Sequence, residues 1–161
     1  MMLNYLNTME EQLLAVFLQH SVKFAVVGGH AVLCYSPIER KDGTLRFPVD
    51  LDILVDTNHE NLIKLSDALA QLCIFIAEEH LEKAYIEDKL PNLVGGYGTQ
   101  LFRRILGAET EAILGSVSYA HSAVGQVPVI CKSLLIEAKR ACQRPKDVED
   151  LCALLATCDA A

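Results

Sequence analysis

Two carboxylates two residues apart are the most chemically informative feature of this chain. In Asp50-Leu51-Asp52-Ile53-Leu54-Val55-Asp56, acidic and apolar residues alternate in the pattern of a strand. Side chains on a strand point to opposite faces in turn, so Asp50, Asp52, Leu54 and Asp56 share one side and Leu51, Ile53 and Val55 the other. Cα atoms at positions 50 and 52 would lie ~6.6–7 Å apart, with both carboxylates leaning into one space. Like charges ~4 Å apart repel by ~4 kcal/mol at an effective dielectric of about 20. A divalent cation offsets that repulsion, and Mg²⁺ in particular takes one or two carboxylates and completes its shell with water and phosphate oxygens. The plainer alternative is a solvated edge strand with both acids facing water.

A second feature lies some twenty residues earlier. Phe24-Ala25-Val26-Val27 is a short apolar run that ends at Gly28-Gly29. It predicts a buried strand leaving into a tight turn, with a short helix from His30 to Tyr35. Backbone N–H groups at such a turn approach phosphate closely, because no Cβ intervenes and a helix N-terminus is positive. An ordinary strand-to-helix turn has the same sequence. Taken together, one element would hold phosphate and the other the metal that bridges phosphates.

The elements that must position these groups follow from periodicity. Leu6, Met9, Leu13, Val16 and Phe17 predict an amphipathic helix over 4–20. Residues 36–48 are polar, with Gly and two prolines, and predict a loop. After the acidic strand at 50–56, Thr57 and Glu60 predict a capping box opening a helix with a Leu62, Leu65, Leu69, Leu72 stripe. A helical piece through about 88 is expected next, then Pro91 and the Gly95-Gly96-Tyr97-Gly98 loop. That loop lacks phosphate-loop spacing and reads as a mobile turn or lid. Gln100 to Leu106 predicts a strand ending at Gly107, and Val117–Ala120 with Val127–Ile130 a hairpin. Ser133 is expected to cap a helix running to about Cys142. Arg144 to Asp147 forms a corner, and Val148, Leu151, Cys152 and Leu155 line a last helix. About five strands mixed with helices make a single α/β or α+β layer structure.

Composition narrows the classes. At 161 residues, 52% of them hydrophobic, the chain is one folded domain, with its core at about 20–157. Fourteen Lys+Arg against 21 Asp+Glu give a net charge of −7, which argues against broad nucleic-acid binding though not against contact with one nucleotide or one RNA end. No apolar run approaches the ~20 residues of a membrane span. The N-terminus lacks the basic start of a signal peptide. A cytoplasmic protein is therefore expected. Six cysteines, none spaced as CxxC, predict reduced core thiols rather than disulfides or zinc. His30 and Cys34, four apart, read as packing residues, since no further ligands stand at zinc spacing.

The segments Phe24-Ala25-Val26-Val27-Gly28-Gly29-His30-Ala31-Val32 and Arg46-Phe47-Pro48-Val49-Asp50-Leu51-Asp52-Ile53-Leu54-Val55 resemble the signature of the nucleotidyltransferase-fold (polymerase-beta-like) superfamily. The Gly-Gly-x-Ala start and an Arg four residues before the first Asp are most similar to its AbiEii/minimal nucleotidyltransferase branch. Members of that branch include toxin components of bacterial toxin–antitoxin systems. The C-terminal run, Lys139 on a helix followed by Arg144-Pro145-Lys146-Asp147-Val148-Glu149-Asp150-Leu151, is similar to the branch's pattern, so the resemblance spans about 24 to 155. It implies a mixed sheet flanked by helices and Mg²⁺- or Mn²⁺-dependent transfer of a nucleoside monophosphate. The donor would be an NTP and the acceptor a hydroxyl of RNA, protein or a small molecule. Gly28 and Gly29 would line the triphosphate, and Asp50 and Asp52 would bind metal. Lys139 would approach the phosphates, and Arg46 would contact phosphate or anchor its strand. A cognate antitoxin or second subunit is an implied partner. Many members carry a third acid on a neighbouring strand, and here the expected position is Gln100. That neutral residue opens the alternative of a degenerate module that binds a nucleotide or partner without turnover. A structural or antitoxin-like subunit is a further alternative. Pro48, where a small residue is usual, implies an altered rim. Asp147 and Asp150 read as cap and lysine partners rather than catalytic groups.

Overall fold

The apolar run Phe24–Val27 becomes the central strand, β1, with all four side chains buried. A computed structural model describes residues 1–84, 86–90 and 92–156. In it, β2 (Leu51–Val55) runs antiparallel to β1, and β3 (Thr99–Phe102) runs parallel to β2. The hairpin of β4 (Ser118–Ser122) and β5 (Gly125–Val129) joins the other side of β1 through β5, in parallel. The order across the sheet is β3-β2-β1-β5-β4. This is the expected mixed sheet.

Helices flank it. They are α1 (Thr8–Gln19), α2 (Gly28–Tyr35), α3 (His59–Ala70), α4 (Glu78–Ala84), α5 (Thr110–Gly115), α6 (Lys132–Cys142) and α7 (Pro145–Ala156). α1 packs on α3, whereas α2 packs on α6 and α7. One aliphatic core joins the sheet to these helices, with Phe17 set edge-on to Phe24 at 5.5 Å between ring centroids. Among the described residues no helix is long and apolar enough to cross a membrane.

Several boundaries differ from expectation for local reasons. α1 starts at Thr8 because Asn7 and Glu10 form a reciprocal capping box, the Asn7 side chain accepting from Glu10 N and Glu10 Oε2 accepting from Asn7 N. Asn58, not Thr57, caps α3, and Glu60 pairs with Lys64 instead of closing a capping box. Leu72 falls in the turn after α3. The helical piece expected through about 88 ends at Ala84. β3 stops at Phe102, since Arg103 N turns to the Asp88 carbonyl. The unexpected α5 follows. Cys131, not Ser133, is the cap residue of α6.

α7 departs furthest from the expected pattern. Its inward residues are Asp147, Asp150, Ala153 and Leu154, while Val148 and Leu155 are exposed. The apolar stripe is displaced because buried ion pairs, not only apolar groups, occupy the inner face. The five described cysteines are free, as expected, but only Cys34 packs against the core: it, Cys131 and Cys142 are half-buried, and Cys73 and Cys152 are exposed. Pro91 and Cys158 lie outside the described residues.

Candidate functional site

The site begins where β1 ends. Val27 stands opposite Asp52 in the β1–β2 register, and Gly28 opens α2 with φ +65°. A Cβ on Gly28 would lie 2.2 Å from Asp52 Oδ2, so only glycine lets that carboxylate rest on the start of α2. A Cβ on Gly29 would lie 2.8 Å from Pro48 Cγ. The two glycines thus do local work: the first seats Asp52 and the second seats the loop that leads into β2.

Asp50 lies in a bend just before β2 rather than within it, and it is exposed, whereas Asp52 is half-buried. Two contacts fix Asp50. Gln100, opposite Asp52 in the β2–β3 register, donates from Nε2 to Asp50 Oδ2 at 3.1 Å. His30 is buried with its Nδ1 3.2 Å from the Asp50 carbonyl oxygen. A carbonyl only accepts, so Nδ1 carries the proton. Burial lowers the His30 pKa below its ordinary value, against the pull of the Asp50 and Tyr5 carbonyls and the Asp50 charge. His30 is therefore a neutral buried strut. Sequence reading found its packing but not its partner twenty residues away. Gly95–Tyr97 forms a 3-10 turn, and the carbonyl of the following Gly98 accepts from Leu51 N at 2.8 Å, so that glycine loop borders the site.

Burial pushes Asp52 up to about 6. Lys139 and Lys146 pull it down, Asp50 pushes it further up, and Arg144 pulls it down. These three cations come from α6, α7 and the corner between them. Glu10, buried beside Gly98, adds another acid whose pKa is raised, chiefly by burial and in part by Asp50.

Lys139 and Arg46 occupy a buried network. Lys139 Nζ lies 3.1 Å from Asp147 Oδ1 and 2.5 Å from Asp150 Oδ2. Arg144 Nε donates to Asp147 Oδ2 at 2.6 Å. Arg46 Nη2 binds Asp150 and the Lys146 carbonyl, and its Nε lies 3.0 Å from Glu149. Of the two roles expected for Arg46, the contacts are those of an anchor: they tie the loop before β2 to α7. Lys139 keeps its charge in range of Asp52 but spends its hydrogen bonds on α7. Lys146 is exposed, and its charge also acts on Asp52.

Among the described residues no group of three His, Cys, Asp or Glu side chains gathers in a geometry that could hold a metal. The oxygens of Asp50, Asp52 and the Gln100 amide are of the hard-donor type that Mg²⁺ takes beside water and phosphate. Cys34 of the disfavoured zinc pair has its thiol pushed up to about 12 by burial, which opposes thiolate ligation.

Gly28→Ala should be costly out of proportion to one methyl. The left-handed backbone alone costs a non-glycine residue roughly 1–2 kcal/mol, and the new Cβ must also displace Asp52. Thermal melts should show a fall in Tm of several degrees or more. A melt unchanged from the parent protein would contradict the described turn.

No known family model matches this chain, and no curated protein matches it.

Proposed function

We propose that this chain is a nucleotidyltransferase-fold protein that binds an NTP with Mg²⁺ or Mn²⁺ and moves its nucleoside monophosphate to a hydroxyl acceptor. The observation that carries the reading is the placement of Asp52 against Gly28, across the β1–β2 register, at the start of α2. A carboxylate with a raised pKa and a glycine helix start share one space there. Backbone N–H groups of Gly28 and Gly29 would face the triphosphate, and Asp50 and Asp52 would hold the cation. When bound, the cation neutralises phosphate charge as pyrophosphate leaves. Lys146, with Lys139 behind it, adds positive potential on the α7 side. The acceptor oxygen would form its bond to the α-phosphorus as the bond to the bridging oxygen breaks, pyrophosphate leaving and the hydroxyl proton passing to water. The resemblance extends the proposal to a toxin role with a cognate antitoxin or second subunit, and to a cytoplasmic setting.

Gln100 favours a second reading. It stands opposite Asp52 and donates to Asp50, yet its amide cannot take the proton of an attacking hydroxyl. A site with this residue would bind nucleotide without turning it over.

The test is transfer of α-labelled NTP, each of the four in turn, with Mg²⁺ or Mn²⁺ and a cell extract as acceptor pool. Label and released pyrophosphate that disappear with Asp52→Ala support the transferase. Nucleotide binding without pyrophosphate release supports the second reading. Label transfer by the Asp52→Ala protein at the parent rate rules out the assigned site.

A further inference from the structure

Phe, Tyr and Trp are scarce here, five, five and none of 161 residues, so two exposed rings in contact call for a reason. Tyr5 and Phe47 lie 4.8 Å apart between ring centroids, tilted by 54°, with 65% and 46% of each residue exposed. Both are tied to the candidate site. Phe47 is three residues before Asp50 and directly precedes Pro48, which packs on Gly29 at the start of α2. The buried His30 ring hydrogen-bonds the Asp50 carbonyl and is drawn toward the Tyr5 carbonyl as well. Tyr5 has φ +67°, an uncommon backbone for a residue with a Cβ, and it leads into the Asn7–Glu10 cap that sits beside Gly98. Leu45 and Val49 extend the exposed apolar edge of the same loop.

We propose that the Tyr5–Phe47 pair is a stacking platform for an unpaired nucleobase held beside Asp50. This rests on the nucleotidyltransferase reading and adds to it the surface that takes the base. Phe47 stands three residues before Asp50 in the chain, and a ligand with phosphate at the Gly28–Asp52 corner and a flat ring at this pair would be a nucleotide. Stacking on aromatic side chains tolerates any base, because every base has a π-face. The base belongs either to the NTP or to the end of a single-stranded RNA acceptor. Both present the same chemistry.

The test measures equilibrium binding of three probes to the full chain in Mg²⁺: ATP, inorganic tripolyphosphate and single-stranded hexa-adenylate. The parent is compared with Tyr5→Ala, Phe47→Ala and Phe47→Leu. The expected result is that each variant weakens ATP by about tenfold if the NTP supplies the base, or hexa-adenylate by about tenfold if the acceptor does. Tripolyphosphate, which has no base, should stay within about twofold, which also reports that the variants are folded and keep the phosphate site. The proposal is overturned if ATP and hexa-adenylate are unaffected, if Phe47→Leu binds them as the parent does, or if tripolyphosphate weakens equally. Should the parent bind tripolyphosphate while the ring variants leave ATP and RNA unchanged, only the platform falls. Should the parent bind none of the three, the nucleotidyltransferase reading falls with it.

Discussion

Asp52→Asn should make the protein more stable at pH 8 and, if the proposed function holds, at the same time sharply reduce nucleotidyl transfer. Asp52 sits at about 6 in the folded protein, mainly through burial, against about 3.9 in an unfolded chain. Between those values the folded state binds more protons than the unfolded state, so stability falls as pH rises through the window. Below about pH 4 the carboxyl is neutral in both states and no penalty arises. Above about pH 6 the folded protein carries a carboxylate that its surroundings disfavour. Asn keeps the shape and removes the charge. The attraction of Lys139, Lys146 and Arg144 is lost with it, yet the net direction of the shift says that burial and Asp50 outweigh these cations. A gain of about 1–3 kcal/mol at pH 8 follows, or a few degrees in Tm. At pH 5, midway through that window, about half of the advantage should remain, because the unfolded chain is already ionised there while the folded parent is largely protonated; below about pH 4 it should vanish. Transfer, by contrast, should fall by about a hundredfold or more, the usual loss when a group that manages transition-state charge is removed. Melts at the two pH values beside a labelled-NTP assay decide it. An Asp52→Asn protein that is less stable than the parent at pH 8 would refute the electrostatic account of the site, whatever its activity.

What was legible of this site in the sequence divides by the range of the contacts involved. A local rule disclosed Asp52 and Gly28: strand alternation placed the acid, and the apolar run ending in Gly-Gly placed the turn. Gln100 was expected on a neighbouring strand, and it does lie opposite Asp52 there. Contacts across long sequence separations were hidden. Nothing in the chain around Arg46 announces that its guanidinium reaches Asp150, 104 residues on. Nothing around His30 announces the Asp50 carbonyl. The α7 stripe failed for a different reason. Hydrophobic periodicity assumes that the inner face is apolar, and here Asp147 and Asp150 lie inward because α6 and the loop before β2 supply their partners. At the N-terminus the signal was present but local: Asn7 three residues before Glu10 is a capping pattern, and it outweighs the apolar spacing that ran the helix back to residue 4.

The largest stability loss should come from Asp150→Ala. Three cations, Arg46, Lys139 and Arg144, meet three acids, Asp147, Glu149 and Asp150, so the network is neutral as it stands. Asp150 is the member whose two partners are both largely buried, the Lys139 side chain at 7% and that of Arg46 at 15% exposure. Arg144, the further partner of Asp147, is half exposed and can turn to water. Removing Asp150 leaves an excess positive charge on side chains with little access to water, with Asp147 as the ion-pair partner left to Lys139 and Glu149 as that left to Arg46. Breaking a buried pair in this way costs about 3–5 kcal/mol, a large part of the ~5–15 kcal/mol that holds a domain together. The urea midpoint should drop by more than about 1 M. Lys139→Met should cost less, because Asp147 keeps Arg144 and Asp150 keeps Arg46. The double variant Lys139→Met/Asp150→Leu removes one charge of each sign and should recover much of what Asp150→Ala loses, since paired charges are replaceable by apolar groups of similar volume. Acid should act on the same network. Burial alone would raise Asp147, but hydrogen bonds from Arg144 and Lys139 and their charges hold it below the usual carboxylate range. Its contribution is present above about pH 4 and is lost as pH falls through the lower folded value. The control is Glu60→Ala, which breaks the exposed Glu60–Lys64 pair on α3. If Asp150→Ala lowers the urea midpoint no more than that surface variant, the buried network is not what fastens α7 beside Asp52.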